Sequence, residues 1–239
     1  KLVVITGGSD GLGLEAAKEF CRRGARVVIA CRNVEKGERA CDAVREAAHQ
    51  LHCDVQMVHM DTGDFESVRQ CVKRLQKLAP AGIDVIVNNA GVGGRFPYRA
   101  NPCNADGIET IFAVNYLGHD LFIRSLIFSN LLGTVPDCRV VSVSSVVHHG
   151  ADSNFEYASR TGDEKTYVGA YARSKLAQII STFEFARKQD ETGGFSNGAG
   201  SRVGMIKFVA LHPGAVRSSI WRNDVKGSSS LKTMSRWQM

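Results

Sequence analysis

Tyr171 and Lys175 lie four residues apart in AYARSK (170–175), at the start of a run that continues Leu-Ala-Gln-Ile-Ile-Ser-Thr-Phe. On a helix that spacing stacks a phenol and an ammonium on one face. A phenol with an ordinary pKa of about 10 is a slow proton donor near neutrality. An ammonium about 4 Å away stabilises the phenolate by about 4 kcal/mol at an effective dielectric near 20, less what desolvation of the pair takes back. The expectation is a tyrosine tuned downward by its lysine and able to exchange a proton. Read alone, the pair is better explained as an ordinary feature of a helix surface.

A second chemical signature opens the chain. VVITGGSDGLGLEAAKEF (3–20) sets Gly7, Gly11 and Gly13 between an apolar run and a helical pattern. Glycines there let the backbone turn tightly and let a pyrophosphate reach the N–H groups at the helix start. GLGLEA (11–16) also fits the G-x-G-x-x-G/A pattern in the strand-then-helix context it requires. At the end of the next apolar run, where an NAD-binding domain carries a carboxylate for the ribose 2′-hydroxyl, the sequence reads IACRN (29–33). Arg32 can grip a 2′-phosphate through paired charge-assisted bonds, so NADP(H) is expected over NAD(H).

These groups need a scaffold, and the apolar pattern supplies one. Leu2–Thr6, Arg26–Cys31, Gln56–Met60, Val85–Asn88, Arg139–Ser144 and Lys207–His212 read as strands. Leu14–Arg23, Val34–Gln50, Phe65–Leu78, Ala105–Leu132 and Ala170–Lys188 read as helices. Apolar strands alternating with helices predict an α/β fold, a single doubly wound (Rossmann-type) parallel sheet with helices on both faces. One domain over residues 1–239 is expected. Segments 92–104, 146–169 and 215–239 are assigned to substrate loops, and the Gly/Ser/Asn-rich DETGGFSNGAGS (190–201) to a flexible surface loop.

Bulk properties narrow the classes. In 239 residues, 30 Lys/Arg against 24 Asp/Glu leave a net charge of +6. All of it sits in residues 202–239, with seven Lys/Arg and one Asp. A solvated basic tail accounts for this, and peripheral association with an anionic membrane surface is compatible with it. Nucleic acid is not expected as a partner. No run of 18 apolar residues appears, so no membrane span is expected. The location expected is cytoplasmic, or cytosol-facing on a membrane. The chain opens at Lys1 directly on a strand, which suggests a trimmed start. Seven cysteines, odd in number and never in a C-x-x-C arrangement, predict reduced thiols rather than a disulfide framework or zinc site. His148 and His149 have no partner at ligand spacing and are read as rim or solvent residues, with no metal.

Taken in order, TGGSDGLG (6–13), NNAG (88–91), Asn115 in AVNYLGH, SVSS (142–145), YARSK (171–175) and HPG (212–214) resemble the short-chain dehydrogenase/reductase family from residue 1 to about 220. VVHHG (146–150) and ACRNVEKGE (30–38) look most like its retinol dehydrogenase group, with protochlorophyllide and carbonyl reductases as near neighbours. The resemblance implies four catalytic residues, Asn115, Ser145, Tyr171 and Lys175, with Ser145 preferred to Ser144. Ser145 would donate to the substrate's carbonyl oxygen. Asn115, by its side chain or a freed carbonyl, would hold a water linking Lys175 to solvent. Dinucleotide contacts are implied for Gly7, Ser9, Gly11, Leu12 and Gly13 of the turn, and for Arg32, Asp61, Asn88, Ala90 and Gly91. Tyr171, Lys175, Pro213, Gly214, Val216 and Ser218 complete the set. The chain departs from the family pattern in the acidic Asp10 of the turn and in ending soon after HPG, where a substrate-covering helix and a last strand usually follow.

The function expected is NADP(H)-dependent interconversion of a carbonyl and an alcohol by hydride transfer, with a tyrosine acid/base. The substrate is expected to be small and hydrophobic, such as a retinoid, steroid or lipid aldehyde. The alternative is a dinucleotide-binding regulator or scaffold without turnover. A homodimer is compatible with the two long helices, where relatives of the family dimerise.

Overall fold

Strands β1 (Leu2–Thr6), β2 (Arg26–Cys31), β3 (Val55–His59), β4 (Val85–Asn88), β5 (Cys138–Val143) and β6 (Ile206–Leu211) build one sheet in the order β3-β2-β1-β4-β5-β6. Every pairing is parallel. The structure is a computed structural model and describes residues 1–48, 53–93, 103–151, 167–214 and 220. β3, β5 and β6 each begin one residue before the expected position, which is within the ordinary uncertainty of strand ends.

Period-2 alternation divides each strand between two cores. Leu2 and Val4 of β1 face one layer, while Val3 and Ile5 face the other. The first layer is filled by Leu75 of α3 (Phe65–Leu78), Phe122 and Leu126 of α4 (Thr110–Phe128) and Phe185 of α5 (Tyr167–Thr192). Ala17 of α1 (Gly11–Arg22) and Cys41 and Val44 of α2 (Val34–Ala47) fill the second. Full burial of such Leu, Val or Phe side chains contributes on the order of 1.5–3 kcal/mol each. Polar residues mark the helix starts. Asp10 caps α1, Asn33 caps α2 through Lys36 N–H at 2.8 Å, and Asp64 caps α3 through Glu66 and Ser67 N–H at 2.9 and 3.1 Å.

Three expectations need correction. α5 continues four residues past Lys188, to Thr192, so Asp190–Thr192 belong to the helix. The turn that follows is hydrogen-bonded, with Asn197 Oδ1 accepting from Ala199 and Ser201 N–H and Phe195 stacking edge-on against Phe185. The helix expected at 105–132 is shorter, because Asn104 Oδ1 holds a turn at 106–108 and Glu109 caps α4 at Thr110. The cysteines are not all free. Cys21 and Cys53 form a disulfide, with Cα atoms 5.6 Å apart, while Cys31, Cys41, Cys71, Cys103 and Cys138 are free thiols. A separation of 32 residues conceals that pairing, since it is the common packing of α1 and the approach to β3 on one core that brings them together.

Among the described residues, one helical stretch, Thr110–Phe128, is long and apolar enough to cross a membrane, with a mean hydropathy of 1.2. It is α4, and 61% of it is buried inside this fold.

The chain order β1-β2-β3 runs to one side of β1 and β4-β5-β6 to the other. That reversal opens a crevice at the C-terminal ends of β1 and β4, where doubly wound sheets bind ligands. The glycine turn, NNAG and the strand end before Ser145 all fall on this edge.

Candidate active site

The turn after β1 is built as a cradle. Gly7 and Gly11 take φ of +64° and +55°, backbone regions that favour glycine. Gly13 has a different constraint: a Cβ there would lie 2.5 Å from Asn89 Nδ2 and 2.6 Å from Gly7 O. Asn89 is a residue the sequence reading passed over. Its Nδ2 donates to Thr6 O at 2.9 Å and Gly7 O at 3.3 Å, clamping the turn from the NNAG side. Ala90 Cα would meet a Cβ on Gly7 at 2.8 Å, so both motifs sit against each other. Ser9, Gly11 and Leu12 are half-buried along the rim. The first N–H groups of a helix have no intrahelical acceptor, and these face the crevice edge. Asp10 takes one of them, accepting from Gly11 N–H at 2.7 Å. The remaining donors and the absence of Cβ atoms fit a phosphate-bearing ligand laid across the turn.

Arg32 is exposed at the end of β2, and no described residue engages its guanidinium in a hydrogen bond or ion pair. Asp61, after β3, spends Oδ1 on Gly63 N–H at 2.9 Å, while its own N–H donates to Ser67 Oγ at 2.9 Å. Asn88 and Asn89 part company. Asn88 is buried and is one of the residues lining a partly open cavity beside α4 and α5. Pro213 and Gly214 are exposed after β6, with Gly214 at φ +79°. Val216 and Ser218 lie outside the described residues.

Asn115 sits in a π-helical turn of α4, Ala113–Leu117. Such bulges recur at functional sites. Its side chain accepts from Val92 N–H at 2.8 Å and donates to Val92 O and Ser174 Oγ, both at 3.0 Å. Its carbonyl accepts from His119 Nδ1 at 2.9 Å. Because a carbonyl only accepts, the His119 proton is on Nδ1, and Nε2 accepts from Thr6 Oγ1 at 2.9 Å. Thr6 Oγ1 in turn accepts from Asn89 and Ala90 N–H, each at 2.9 Å. One buried line therefore joins β1, NNAG and the π turn. Burial pulls the His119 pKa down to about 4, so the ring stays neutral. His119 was not singled out from sequence; its position four residues after Asn115 was the available signal.

The two serines after β5 have separate partners. Ser144 Oγ donates to the backbone carbonyl of Lys175 at 2.8 Å and fixes α5 on the sheet. Ser145 caps the 3-10 turn Val146–Gly150 and hydrogen-bonds the Tyr171 hydroxyl. His148 Nδ1 donates to Ser145 O at 2.7 Å and bears on the same turn. Glu109, buried at the start of α4, accepts from Ile111 and Phe112 N–H at 2.7 Å each, and desolvation raises its pKa.

Lys175 does not act on Tyr171 as the spacing suggested. Its Nζ lies 5.6 Å from the centroid of the Tyr171 ring and donates to Val143 O at 2.8 Å and Gln178 Oε1 at 2.9 Å. Burial raises the Tyr171 pKa, partly offset by the Ser145 hydroxyl, and burial lowers that of Lys175 to about 7. Loss of hydration penalises both charged forms and exceeds the attraction between them. Asn115 and Lys175 nevertheless meet beside NNAG: a Cβ on Gly91 would lie 3.3 Å from Asn115 Oδ1 and 3.7 Å from Lys175 Nζ.

Comparison with known proteins identifies the family. The chain is 38% identical to retinol dehydrogenase 12 of Bos taurus over 224 residues, 93% of this chain and 64% of that protein. With retinol dehydrogenase 13 of Homo sapiens it shares 30% identity over 234 residues, 98% of this chain and 64% of the relative. It thus spans somewhat under two thirds of their length. Among solved structures, an uncharacterised protein of Mycobacterium paratuberculosis superposes with a TM-score of 0.65 at 31% identity, covering 90% of this chain and 68% of that one. The Pseudomonas aeruginosa RhlG/NADP complex gives 0.67 at 22% identity, covering 99% and 80%, and shares the fold. The short chain dehydrogenase family itself matches residues 1–227, and the chain belongs to that family.

Proposed function

We propose that the protein is an NADP(H)-dependent oxidoreductase that interconverts a carbonyl and an alcohol on a small hydrophobic substrate. The observation that carries this is the Tyr171 hydroxyl, hydrogen-bonded to Ser145 and one helical turn from buried Lys175, beside a glycine cradle at the sheet's crossover crevice. Retinol dehydrogenase names among its relatives support a retinoid or similar lipid alcohol as substrate class.

Gly7, Ser9, Gly11, Leu12 and Gly13 would receive the dinucleotide's phosphates, with Arg32 on the 2′-phosphate and Ala90 and Gly91 beside the adenosine. When bound, the nicotinamide supplies a hydride. Tyr171 then supplies the proton to the developing alkoxide. Burial keeps the phenol protonated at neutral pH, the form that reduction requires. Ser145 donates to the same oxygen, an interaction that strengthens as negative charge grows there. Lys175, with a donor beyond those given to Val143 and Gln178, fixes the ribose and, while it carries its proton, favours the negative charge that Tyr171 takes on as it gives up its own. Asn115 holds the wall through Val92 and Ser174, and one lone pair of its carbonyl is already taken by His119. Exposed Ile180 and Phe183 on α5 support docking of a second copy.

The direct test is oxidation of NADPH with a panel of retinoid, steroid and lipid aldehydes, using the full-length protein. No turnover with any of them would favour the regulator reading. Arg32→Ala separates the cofactor claim from the chemistry. Loss of a paired charge-assisted contact is expected to weaken NADPH binding roughly 10- to 100-fold while leaving NADH binding unchanged. Equal affinity of the unmodified protein for both cofactors, measured by fluorescence titration, would remove Arg32 from that role.

A further inference from the structure

His148, which the sequence reading assigned to the rim, is half-buried and turns its ring back on the residue that begins its own turn. The 3-10 turn Val146–Gly150 starts directly after Ser145. The Ser145 carbonyl accepts twice from one residue there, from His148 Nδ1 at 2.7 Å and from His148 N–H at 3.1 Å. A carbonyl only accepts, so Nδ1 carries a proton, and Nε2 is the ring's other polar atom. The side-chain bond is the shorter of the two. The His149 ring lies against that of His148, with centroids 4.0 Å apart and planes at 34°.

The load on this turn gives the bond its importance. Sheet pairing ends just before it, where Ser144 N–H donates to Leu211 O at 2.7 Å. Ser145 therefore lies past the last rung of β5. Its own hydroxyl is a loose tether, accepting from Val147 N–H at 3.3 Å. Yet the turn meets Tyr171 twice: the Ser145 hydroxyl hydrogen-bonds the phenol, and Val147 packs on the cluster of Ile111, Ala170 and Tyr171. A group that must meet a reacting atom tolerates little displacement, and an error of about 1 Å can cost roughly 10²-fold in rate.

We propose that His148 is the positioning residue for Ser145: its Nδ1–H pins the peptide that follows the serine and so holds the hydroxyl between Tyr171 and the substrate oxygen. The hold on the peptide stands on geometry; its bearing on turnover rests on the function proposed above. His148 acts through Ser145 and not by contact with substrate or cofactor. Two substitutions separate those roles. Asparagine carries an N–H as far along the side chain as Nδ1, whereas glutamine places one where Nε2 lies.

His148→Ala is expected to lower kcat about 10-fold, with KM for NADPH held within about two-fold, and His148→Asn to recover most of that loss. Made on a Ser145→Ala background, His148→Ala is expected to cost less than about two-fold more, because the group it serves is already gone. Rescue by His148→Gln in place of His148→Asn, or an undiminished loss on the Ser145→Ala background, overturns the proposal. His148→Phe keeps the ring and removes the donor, and reads the same loss should the alanine variant misfold. Crystal structures give a readout that needs no turnover. The Ser145 and Tyr171 hydroxyl oxygens are expected about 2.5–3.0 Å apart in the wild type and in His148→Asn, and beyond about 3.5 Å in His148→Ala. An unmoved Ser145 in the alanine variant overturns the positioning role whatever the kinetics. A wild-type protein inactive on every carbonyl would instead refute the proposed activity, and the crystallographic comparison would still decide what His148 holds.

Discussion

Tyr171→Phe is expected to lower kcat roughly 10²- to 10⁴-fold, the range that a positioned proton donor contributes, while the protein remains folded. The ring packs with Ile111 and Ala170 and is 6% exposed, and phenylalanine keeps that packing. Only the hydroxyl is lost, and Ser145 still accepts from Val147 N–H at 3.3 Å. Dinucleotide binding is expected to change little, so the loss falls on kcat rather than on the KM for NADPH. Burial, by holding the phenol protonated, also sets a direction for the pH response. Carbonyl reduction is expected to stay level through neutrality, whereas alcohol oxidation, which needs phenolate, is expected to climb with pH. Steady-state assays in both directions check this; a variant keeping more than a tenth of wild-type turnover would take Tyr171 out of the role.

Lys175→Met is expected to separate activity from stability. Loss of the ammonium removes both the ribose contact and the charge that favours the phenolate left when Tyr171 gives up its proton, and kcat is expected to fall by a further order of magnitude beyond that of a single lost hydrogen bond, roughly 10²- to 10³-fold. Stability is expected to hold or rise, because a buried charge replaced by an apolar side chain of similar length no longer carries a desolvation cost. Lys175 is 3% exposed, and its pKa falls from 10.5 to about 7. Below pH 7 both folded and unfolded chains hold the proton, so the whole cost of burying the charge is present. Between about 7 and 10.5 the folded protein has released the proton and the unfolded chain has not, so wild-type stability rises with pH through that window, by up to about 1.4 kcal/mol per unit. The advantage of the methionine variant therefore narrows from pH 7 to pH 10. Denaturant midpoints at those two pH values measure it, and a constant gap would mean that the lysine is not neutralised by burial.

The apolar pattern made the architecture legible. Apolar runs in Leu2–Thr6, Arg26–Cys31 and Val85–Asn88 placed three strands to the residue, and the glycine turn located the crevice, because both depend on local rules. Contacts that require tertiary packing were hidden. The Cys21–Cys53 bond joins residues whose spacing carries no signature, and the interior position of Asn88 against the turn-facing Asn89 depends on which way one strand end rotates. The tyrosine–lysine pair shows the same limit in its energetics. Spacing four apart on a helix correctly put both on one side, yet the sign of their pKa shifts is set by burial, and burial depends on Ser144, Val143 and Gln178 from outside that turn. Glu109 and His119 escaped notice for a similar reason, since each is explained only by the groups it meets.

The line from Asn89 and Ala90 N–H through Thr6 and His119 to the Asn115 carbonyl has a further meaning for how the molecule opens. It crosses from β1 to α4 through a ring wholly shut away from solvent, so neither the NNAG corner nor the π turn can swing outward without severing it. The His119 Nδ1 proton thereby becomes a timer for the crevice. Its exchange with deuterium is expected to follow the slowest class of backbone amides, those released only by global unfolding, and not the faster class that reports local breathing near a binding loop.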